Sequence, residues 1–189
     1  MKENEMIFGI RAIIEAVKSD KQIDKIILKN DMQSELAKEL FNAIKGFSHI
    51  QVQRVPLERL NRYTHKNHQG AIAFVSQTTY QLVSDIVPTL YEEGKTPFFV
   101  VLDGVTDVRN FGAIARTCEC GGVDAIVIPV KGGASVNADA VKTSAGALHT
   151  LPVCKESNLV SALKFLKQCG IRIVVASEKG NKNYTEANL

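Results

Sequence analysis

The strongest constraint on the fold of this chain is a strand-helix-strand pattern at residues 98–129. It consists of the apolar run FFVVLD, a polar turn, the helical segment NFGAIARTCEC and the apolar run AIVIP. Strands rich in Val and Ile, without alternating polar residues, are typical of a parallel sheet with helices on both faces. The helical segment LVSALKFLKQCG and a predicted strand at 171–177 continue the pattern. Residues 98–189 are therefore predicted to form a doubly wound α/β domain.

The N-terminal part of the chain also alternates helices and strands. Apolar residues at helical spacing predict helices at 8–18 and 34–46, and strands are predicted at 25–29, 50–55 and 70–75. We predict a small α/β domain over residues 1–76. Residues 77–97 are polar at both ends and contain Pro88, Gly94 and Pro97, which indicates a linker carrying a short helix.

Composition restricts the class of protein. The chain has 189 residues with 45% apolar content, enough for packed cores. It contains no apolar run close to the roughly 20 residues that a helix needs to cross a bilayer, and its start lacks the basic region of a signal peptide. We therefore expect a cytoplasmic protein that does not associate with a membrane. Of its four cysteines, Cys118 and Cys120 would point about 200° apart on a helix, so we interpret the thiols as buried and expect no metal.

A basic, aromatic-containing run is the first candidate binding site. Residues 1–75 contain 12 Lys and Arg against 9 Asp and Glu, while the rest of the chain is balanced at 11 against 11. Cations beside aromatic rings are suited to binding single-stranded RNA, because they contact phosphates and stack on bases. The alternative is a solvated basic loop. The candidate residues, all within RVPLERLNRYTHKNHQG at 54–70, are Arg54, Arg59, Arg62, Tyr63, His65 and Lys66.

Two polar residues between the first strand and the helix of the second domain are candidates for chemistry. Open α/β sheets bind their ligands at the carboxyl ends of strands, where Asn110 lies. Asn110 could be the N-cap of the helix, a ligand-binding residue, or both. Arg116 stands in an otherwise small and apolar helix; it is either a solvated or salt-bridged residue or part of a site. Gly112 and Ala113 keep the surface low, so that a ligand or a backbone could approach.

The run LDGVTDVRNFGAIARTCECGGVDAIVIP resembles the first motif of the SpoU (TrmH-like) family, the RNA 2'-O-ribose methyltransferases of the knotted SPOUT class. The later KTSAGALHTLPV is similar to the segment that follows it, and FGIRAIIEAV and NHQGAIAFV resemble the RNA-binding domain of the ribosomal RNA members. The resemblance implies methyl transfer from S-adenosylmethionine to a ribose 2'-hydroxyl, most often of ribosomal RNA, by a homodimer. It assigns a part in catalysis to Asn110 and Arg116.

The chemistry of arginine narrows the role that the resemblance implies for Arg116. A guanidinium remains protonated at working pH and is a poor general base. We therefore expect Arg116 to hold the phosphate beside the target ribose or to stabilise the developing alkoxide. Asn110 would orient the nucleotide or hold the end of the helix.

The sequence departs from the family pattern after its last predicted strand. Two further motifs of the family, which tie the knot and hold the cofactor, do not occur before Leu189, so this 189-residue chain alone is expected to be inactive and to bind S-adenosylmethionine poorly. Ala176, Ser177 and Gly180 are candidates for one edge of the cofactor pocket, or an ordinary polar loop. The alternatives to a ribosomal RNA methyltransferase are a non-catalytic RNA-binding protein and a transfer RNA 2'-O-methyltransferase.

Overall fold

The computed structural model describes residues 6–181 and 183–186, which form two four-stranded sheets with helices packed against them. The first sheet has the strand order β1-β4-β2-β3, with β2 parallel to β3 and the other neighbours antiparallel. Its elements are β1 (Met6–Phe8), α1 (Ile10–Lys18), β2 (Ile23–Lys29), α2 (Glu35–Ile44), β3 (Gln51–Val55), α3 (Leu57–Asn61) and β4 (Ala71–Val75).

Alternating apolar residues explain why helices cover both faces of the first sheet. Ile26 of β2 faces α1 and α2, where it packs with Ile13 and Leu40. Ile27, its neighbour in the strand, points to the opposite face and packs with Leu60 of α3. The three strands predicted in this part are confirmed. The short β1 was not predicted, because three residues carry too little periodicity.

The second sheet is entirely parallel, with the strand order β5-β8-β7-β6. The predicted α/β class with a parallel sheet in the C-terminal part is therefore confirmed. Its elements are β5 (Tyr80–Gln81), α4 (Val83–Glu92), β6 (Phe99–Val101), α5 (Val108–Cys120), β7 (Ala125–Pro129), α6 (Ala138–Thr143), β8 (Val153–Glu156) and α7 (Leu159–Gln168), with 3-10 turns at Ala147–His149 and Tyr184–Glu186.

Helices cover this sheet on both sides, as its strand composition predicts. Phe111 of α5 is fully buried and packs with Ile126 on one face. On the other face, Val127 packs with Val87 of α4 and Leu166 of α7. Successive residues of β7 therefore enter different cores, which explains the lack of polar residues in AIVIP.

The predicted linker at residues 77–97 contains more structure than a short helix. Its residues Tyr80 and Gln81 form β5, which pairs with β8, and α4 packs against α7. Most of the segment thus belongs to the second sheet. We propose that the boundary between the two domains lies at residues 76–79.

The strand predicted at 171–177 does not form. Ile171 packs against the core beneath α7, but Ile173, Val174 and Val175 are 38%, 54% and 77% exposed. A parallel strand needs a hydrogen-bonded neighbour and helices over both of its faces. In the part of the chain that the structure describes, only the 3-10 turn Tyr184–Glu186 follows α7, so nothing there covers such a strand.

All four thiols are free, but the interpretation that they are buried is only partly right. Cys118 and Cys154 are buried, whereas Cys169 is half-buried and Cys120 is exposed. Burial raises the pKa of Cys154 to about 12, so this thiol stays protonated at neutral pH. None of the helices within residues 6–181 and 183–186 has the length and apolar character needed to cross a membrane.

Candidate functional site

Asn110 is not the N-cap of α5, contrary to one of its predicted roles. The cap is Asp107, whose Oδ1 accepts hydrogen bonds from the backbone N–H groups of Arg109 and Asn110 at 3.0 and 2.8 Å. The helix starts three residues earlier than the predicted cap would have it. The Asn110 side chain is exposed and makes no hydrogen bond with the described residues, so its carboxamide is available to a ligand.

A cavity of about 530 Å³ lies beside Asn110, where the chain passes from β6 into α5. The wall contributed by the helix consists of Asn110, Ala113 and Ile114, and the loop after β6 supplies the rest. Because this is the carboxyl edge of a parallel sheet, the cavity lies where such folds place their ligands. The structure thus brings Asn110 to the expected edge.

Close packing of two helices holds this part of α5 in place. A Cβ added to Gly112 would lie 2.6 Å from the carbonyl oxygen of Ala140 and 2.9 Å from Cβ of Thr143. The low surface at Gly112 therefore serves the approach of α6 and not of a ligand. Helix α6 is itself capped by Asn137, whose Oδ1 accepts from the Ala140 N–H at 3.0 Å.

Arg116 is exposed on α5 but does not line the cavity. The six residues between it and Asn110 correspond to about 9 Å along the helix axis and about 120° around it. Ala113 lies three residues from each, and long side chains on a helix lean toward its N-terminus. A small residue there leaves the surface open between the guanidinium and the carboxamide.

A second cavity, of about 470 Å³, lies at the opposite edge of the sheet. Residues before β7 and β8, including Asp124 and Pro152, line it together with α4. None of the predicted site residues borders this cavity. The Asn110 cavity is the better candidate site, because α/β folds bind ligands at the carboxyl ends of parallel strands and not at the amino ends.

The predicted RNA-binding residues fall into two groups in the structure. Arg59, Arg62, His65 and Lys66 are exposed on α3 and the loop after it. The Lys66 ammonium lies 5.5 Å from the centre of the Phe8 ring. We call these four exposed side chains the α3 patch.

Two of the predicted RNA-binding residues contact the protein itself. Arg54 donates to the carbonyl oxygen of Asn30 at 2.8 Å and stacks over the Phe41 ring at 5.4 Å. The Tyr63 ring packs edge-on against Phe74 at 5.4 Å and is half-buried. Both side chains are therefore committed at least in part to the fold, which a linear run of residues cannot reveal.

Lys25 was missed by sequence reasoning because it lies within a strand. It is half-buried in β2, and burial together with the charge of Arg59 lowers its pKa. Two cations close enough to repel one another attract an anion more strongly than either does alone. Lys25 thus extends the α3 patch toward the second sheet.

The residues predicted at the cofactor do not form a pocket by themselves. Ser177 closes an exposed turn, in which its carbonyl oxygen accepts from the Gly180 N–H at 3.0 Å and its Oγ accepts from the Lys179 N–H at 3.2 Å. Ala176 is exposed, and neither of the two cavities is lined by these residues. The described part of the loop does not fit a bound nucleoside, and we derive no step through the cofactor.

Comparison with known proteins identifies the family. A model of the SpoU rRNA Methylase family matches residues 97–189, and a model of the RNA 2'-O ribose methyltransferase substrate-binding domain matches residues 6–81. The 23S rRNA (guanosine-2'-O-)-methyltransferase RlmB of Photorhabdus laumondii is 31% identical over 189 residues, covering 98% of this chain and 76% of that protein. The chain belongs to the SpoU family.

Other proteins similar to this chain have related names. The putative TrmH family tRNA/rRNA methyltransferase YacO of Bacillus subtilis is 28% identical, covering 97% of this chain and 73% of that protein. Among solved structures, an RNA 2'-O ribose methyltransferase is 18% identical over 97% of this chain and 66% of that chain, with a TM-score of 0.44. AviRb of Streptomyces viridochromogenes, a SpoU methyltransferase solved with the cofactor AdoMet, is 18% identical over 86% and 59%, with a TM-score of 0.40.

The predicted family is confirmed. The two matching family models describe an rRNA methylase and the substrate-binding domain of an RNA 2'-O ribose methyltransferase. This chain spans 57% to 66% of the solved structures just described and of a related rRNA methyltransferase from Sinorhizobium meliloti. The roles of its individual residues rest on the geometry above.

Proposed function

We propose that this SpoU protein methylates a ribose 2'-hydroxyl of ribosomal RNA, with Asn110 and Arg116 at the reacting nucleotide. The observation that carries the proposal is the exposed carboxamide of Asn110, which borders a cavity at the carboxyl end of β6. The family's cofactor supplies an electrophilic methyl group. The tasks left to the protein are to align the hydroxyl and to stabilise its charge as the proton leaves.

Asn110 orients the target ribose in this proposal. Its carboxamide offers one acceptor and two donors, which can hold a hydroxyl and a neighbouring oxygen together. The cap at Asp107 and the close packing at Gly112 fix the backbone from which this side chain extends. A rigid backbone lowers the cost of holding the nucleotide in a reactive geometry.

Arg116 grips the phosphate next to the target ribose. Its planar guanidinium matches two phosphate oxygens, and Ala113 leaves the surface open toward Asn110. Its position about 1.7 turns along α5 corresponds to a group beside the target and not to the reacting hydroxyl itself. The guanidinium therefore binds and stabilises charge while another group accepts the proton.

The catalytic proposal is tested with methyl transfer from tritiated S-adenosylmethionine to ribosomal RNA, catalysed by a protein that joins this chain to the cofactor-binding segment of its family. We expect Arg116→Lys to lower kcat/KM about 10-fold or more, because a charge-assisted hydrogen bond contributes about 1.5–3 kcal/mol. Arg11→Lys on α1 is the matched control. Equal activity of R116K and R11K would refute bidentate recognition by Arg116, and full activity of Asn110→Ala would remove Asn110 from the site.

The α3 patch supplies the affinity for RNA in this proposal. Its cations replace counterions along single-stranded RNA, so binding weakens as salt rises. Replacing both Arg59 and Arg62 by Ala is expected to make the slope of log affinity against log salt shallower by about 1.4, since each single-strand contact contributes about 0.7. Lys167→Ala, on the exposed side of α7, is the control and should leave the slope unchanged. An unchanged slope in the double variant would place the RNA elsewhere.

RNA binding without catalysis is the second candidate function. The exposed turn at Ser177 favours it for this chain, because that turn does not enclose a cofactor by itself. The two functions differ in one result: tight, salt-dependent RNA binding with no methyl transfer supports the second.

We further propose that the protein is cytoplasmic and forms a homodimer through the second sheet. Analytical ultracentrifugation at micromolar concentration tests the dimer.

A further inference from the structure

A buried polar cluster joins the two sheets. Lys155 of β8 donates from Nζ to Oδ1 of Asp24 at 2.5 Å and to the Asp24 carbonyl oxygen at 3.0 Å. The hydroxyls of Tyr80 and Ser135 donate to the same carboxylate at 2.7 and 2.6 Å. Asp24 lies in β2 of the first sheet, whereas Tyr80 and Lys155 lie in β5 and β8 of the second sheet and Ser135 lies in the loop after β7. We call these four residues the junction cluster.

Every polar group of the junction cluster has a partner. The Lys155 ammonium also lies 4.5 Å from the centre of the Tyr80 ring, and the Tyr80 oxygen accepts from the Val136 N–H at 3.3 Å. Burial alone would raise the pKa of Asp24, but the charge of Lys155 and the three side-chain hydrogen bonds outweigh it and lower the pKa. A rotation or shift of one unit relative to the other would break several of these contacts at once.

The segment that connects the two units is hydrogen-bonded to both of them. The backbone N–H of Ser76 donates to the carbonyl oxygen of Gln22 at 2.9 Å, and that of the next residue, Gln77, donates to Val136 at 2.9 Å. Consecutive residues thus bond to different sheets. A connection of this kind does not act as a free hinge, and it agrees with a single arrangement of the two units.

A buried ion pair is a poor way to gain stability but a good way to select one arrangement. Well-packed apolar residues often stabilise a core as well as such a pair does, because desolvation offsets the attraction. Apolar contacts, however, have little directionality and tolerate sliding. Short hydrogen bonds from three directions to one carboxylate are satisfied in a single geometry.

The junction cluster has close neighbours on both sides that bear on the candidate sites. Lys25 follows Asp24 directly, and the charges of both Arg59 and Lys155 act on it. On the other side, Ser135 belongs to the loop after β7, at the carboxyl edge of the sheet that also carries Asn110. The cluster thus contacts one residue next to Lys25 and one loop at the carboxyl edge of the second sheet.

We propose that Asp24 and Lys155 are positioning residues that hold RNA on the first unit in one orientation, with the target ribose directed at Asn110. The inference rests on the proposed function for its RNA arm only. The fixed orientation is a property of the protein itself and can be measured without RNA or cofactor.

The orientation is tested by pulsed electron resonance between two spin labels. One label sits on Cys120 and the other on Lys38→Cys, both exposed, with Cys169→Ala to prevent a third. The parent should give one narrow distance distribution. We expect Lys155→Met, and the double variant Asp24→Leu with Lys155→Met, to broaden it at least twofold. Lys18→Met, which breaks the exposed pair with Glu39, is the control and should not.

The double variant separates orientation from stability. Its apolar pair should recover part of any thermal stability that Lys155→Met loses, since no buried carboxylate remains unpaired, although the Tyr80 and Ser135 hydroxyls lose their acceptor. The distance distribution should stay broad. A distribution as narrow as that of the parent would overturn the proposal, because apolar contacts would then suffice to fix the units. If the single variant fails to fold, the double variant still decides.

The RNA arm uses a photocrosslinker, p-benzoylphenylalanine, in place of the exposed Thr106 at the Asn110 cavity. In the double variant, RNA affinity should stay within twofold of the parent while the crosslink yield per bound RNA falls at least fivefold. An unchanged yield would refute the positioning role. Failure of the parent to bind RNA would refute the proposed function instead. The spin-label measurement would then still test the fixed orientation of the two units, because it needs no RNA.

Discussion

Replacing Gly112 by Ala should destabilise the second unit, even though alanine is the better helix former. In an exposed helix the change would stabilise by about 1 kcal/mol. Here the new Cβ meets the Ala140 carbonyl oxygen at 2.6 Å, Cβ of Thr143 at 2.9 Å and the Ser144 nitrogen at 3.1 Å. Two of these three atoms belong to the backbone of α6 and its cap, so no side-chain rotation relieves the contacts.

The magnitude follows from setting these two effects against each other. Overpacking costs about 1–3 kcal/mol, and contacts with backbone place this case in the upper part of that range. After the gain in helix propensity is subtracted, we expect a net loss of about 1–2 kcal/mol. In a protein of this size each kcal/mol lowers Tm by about 2–4 °C, so G112A should unfold about 2–8 °C lower.

Urea and thermal denaturation followed by circular dichroism measure this effect. The matched control is Gly46→Ala, since Gly46 follows α2 with nothing within 4 Å of its added Cβ. The control should be neutral or stabilising by up to about 1 kcal/mol. If G112A proved as stable as G46A, the close approach of α5 and α6 would be wrong, and with it the rigid support proposed for Asn110.

Three further predictions address the cap of α5, the cofactor and His49, a half-buried residue whose ring lies 5.8 Å from that of Tyr80 in the junction cluster. Asp107→Ala should cost about 1 kcal/mol and speed amide exchange at residues 108–111, because two N–H groups lose their acceptor; the equivalent change at the α7 cap, Asn158→Ala, should leave that exchange unaltered. Burial and the nearby charge of Lys155 lower the pKa of His49 below 6.5 in the folded protein. As the pH drops below 6.5, the unfolded chain therefore binds a proton at His49 more readily than the folded protein does, and the free energy of unfolding should fall. Urea denaturation should find a smaller loss between about pH 7.5 and 5.5 in His49→Gln, and an equal loss would remove His49 from the pH dependence. Calorimetry should detect no binding of S-adenosylmethionine to this 189-residue chain, because Ser177 and Gly180 lie in an exposed turn; micromolar affinity would contradict this.

The parts of the fold that sequence reasoning found are those with a strong local pattern. The buried strands of the second sheet were predictable because AIVIP has no polar position. The two residues of β5 were not, since they become a strand only through pairing with β8. The run 171–177 has the composition of a strand but lacks cover, and so stays irregular in the described chain.

The candidate site divides in the same way. Asn110 was placed correctly at the carboxyl edge, because the local sequence pattern shows that it lies between a strand and a helix. Its expected role as N-cap was wrong, since Asp107 occupies that position. Nothing in the sequence pairs Asp24 with Lys155, which lie 131 residues apart.

The sequence by itself determined the alternation of helices and strands, the parallel character of the second sheet and the family, because these depend on patterns within short stretches of chain. Only the tertiary structure decided that Gly112 packs against α6, which cations remain exposed and how the two sheets are joined. Those outcomes depend on distances between residues far apart in the chain, and hydrogen bonds and close packing act over only a few ångströms.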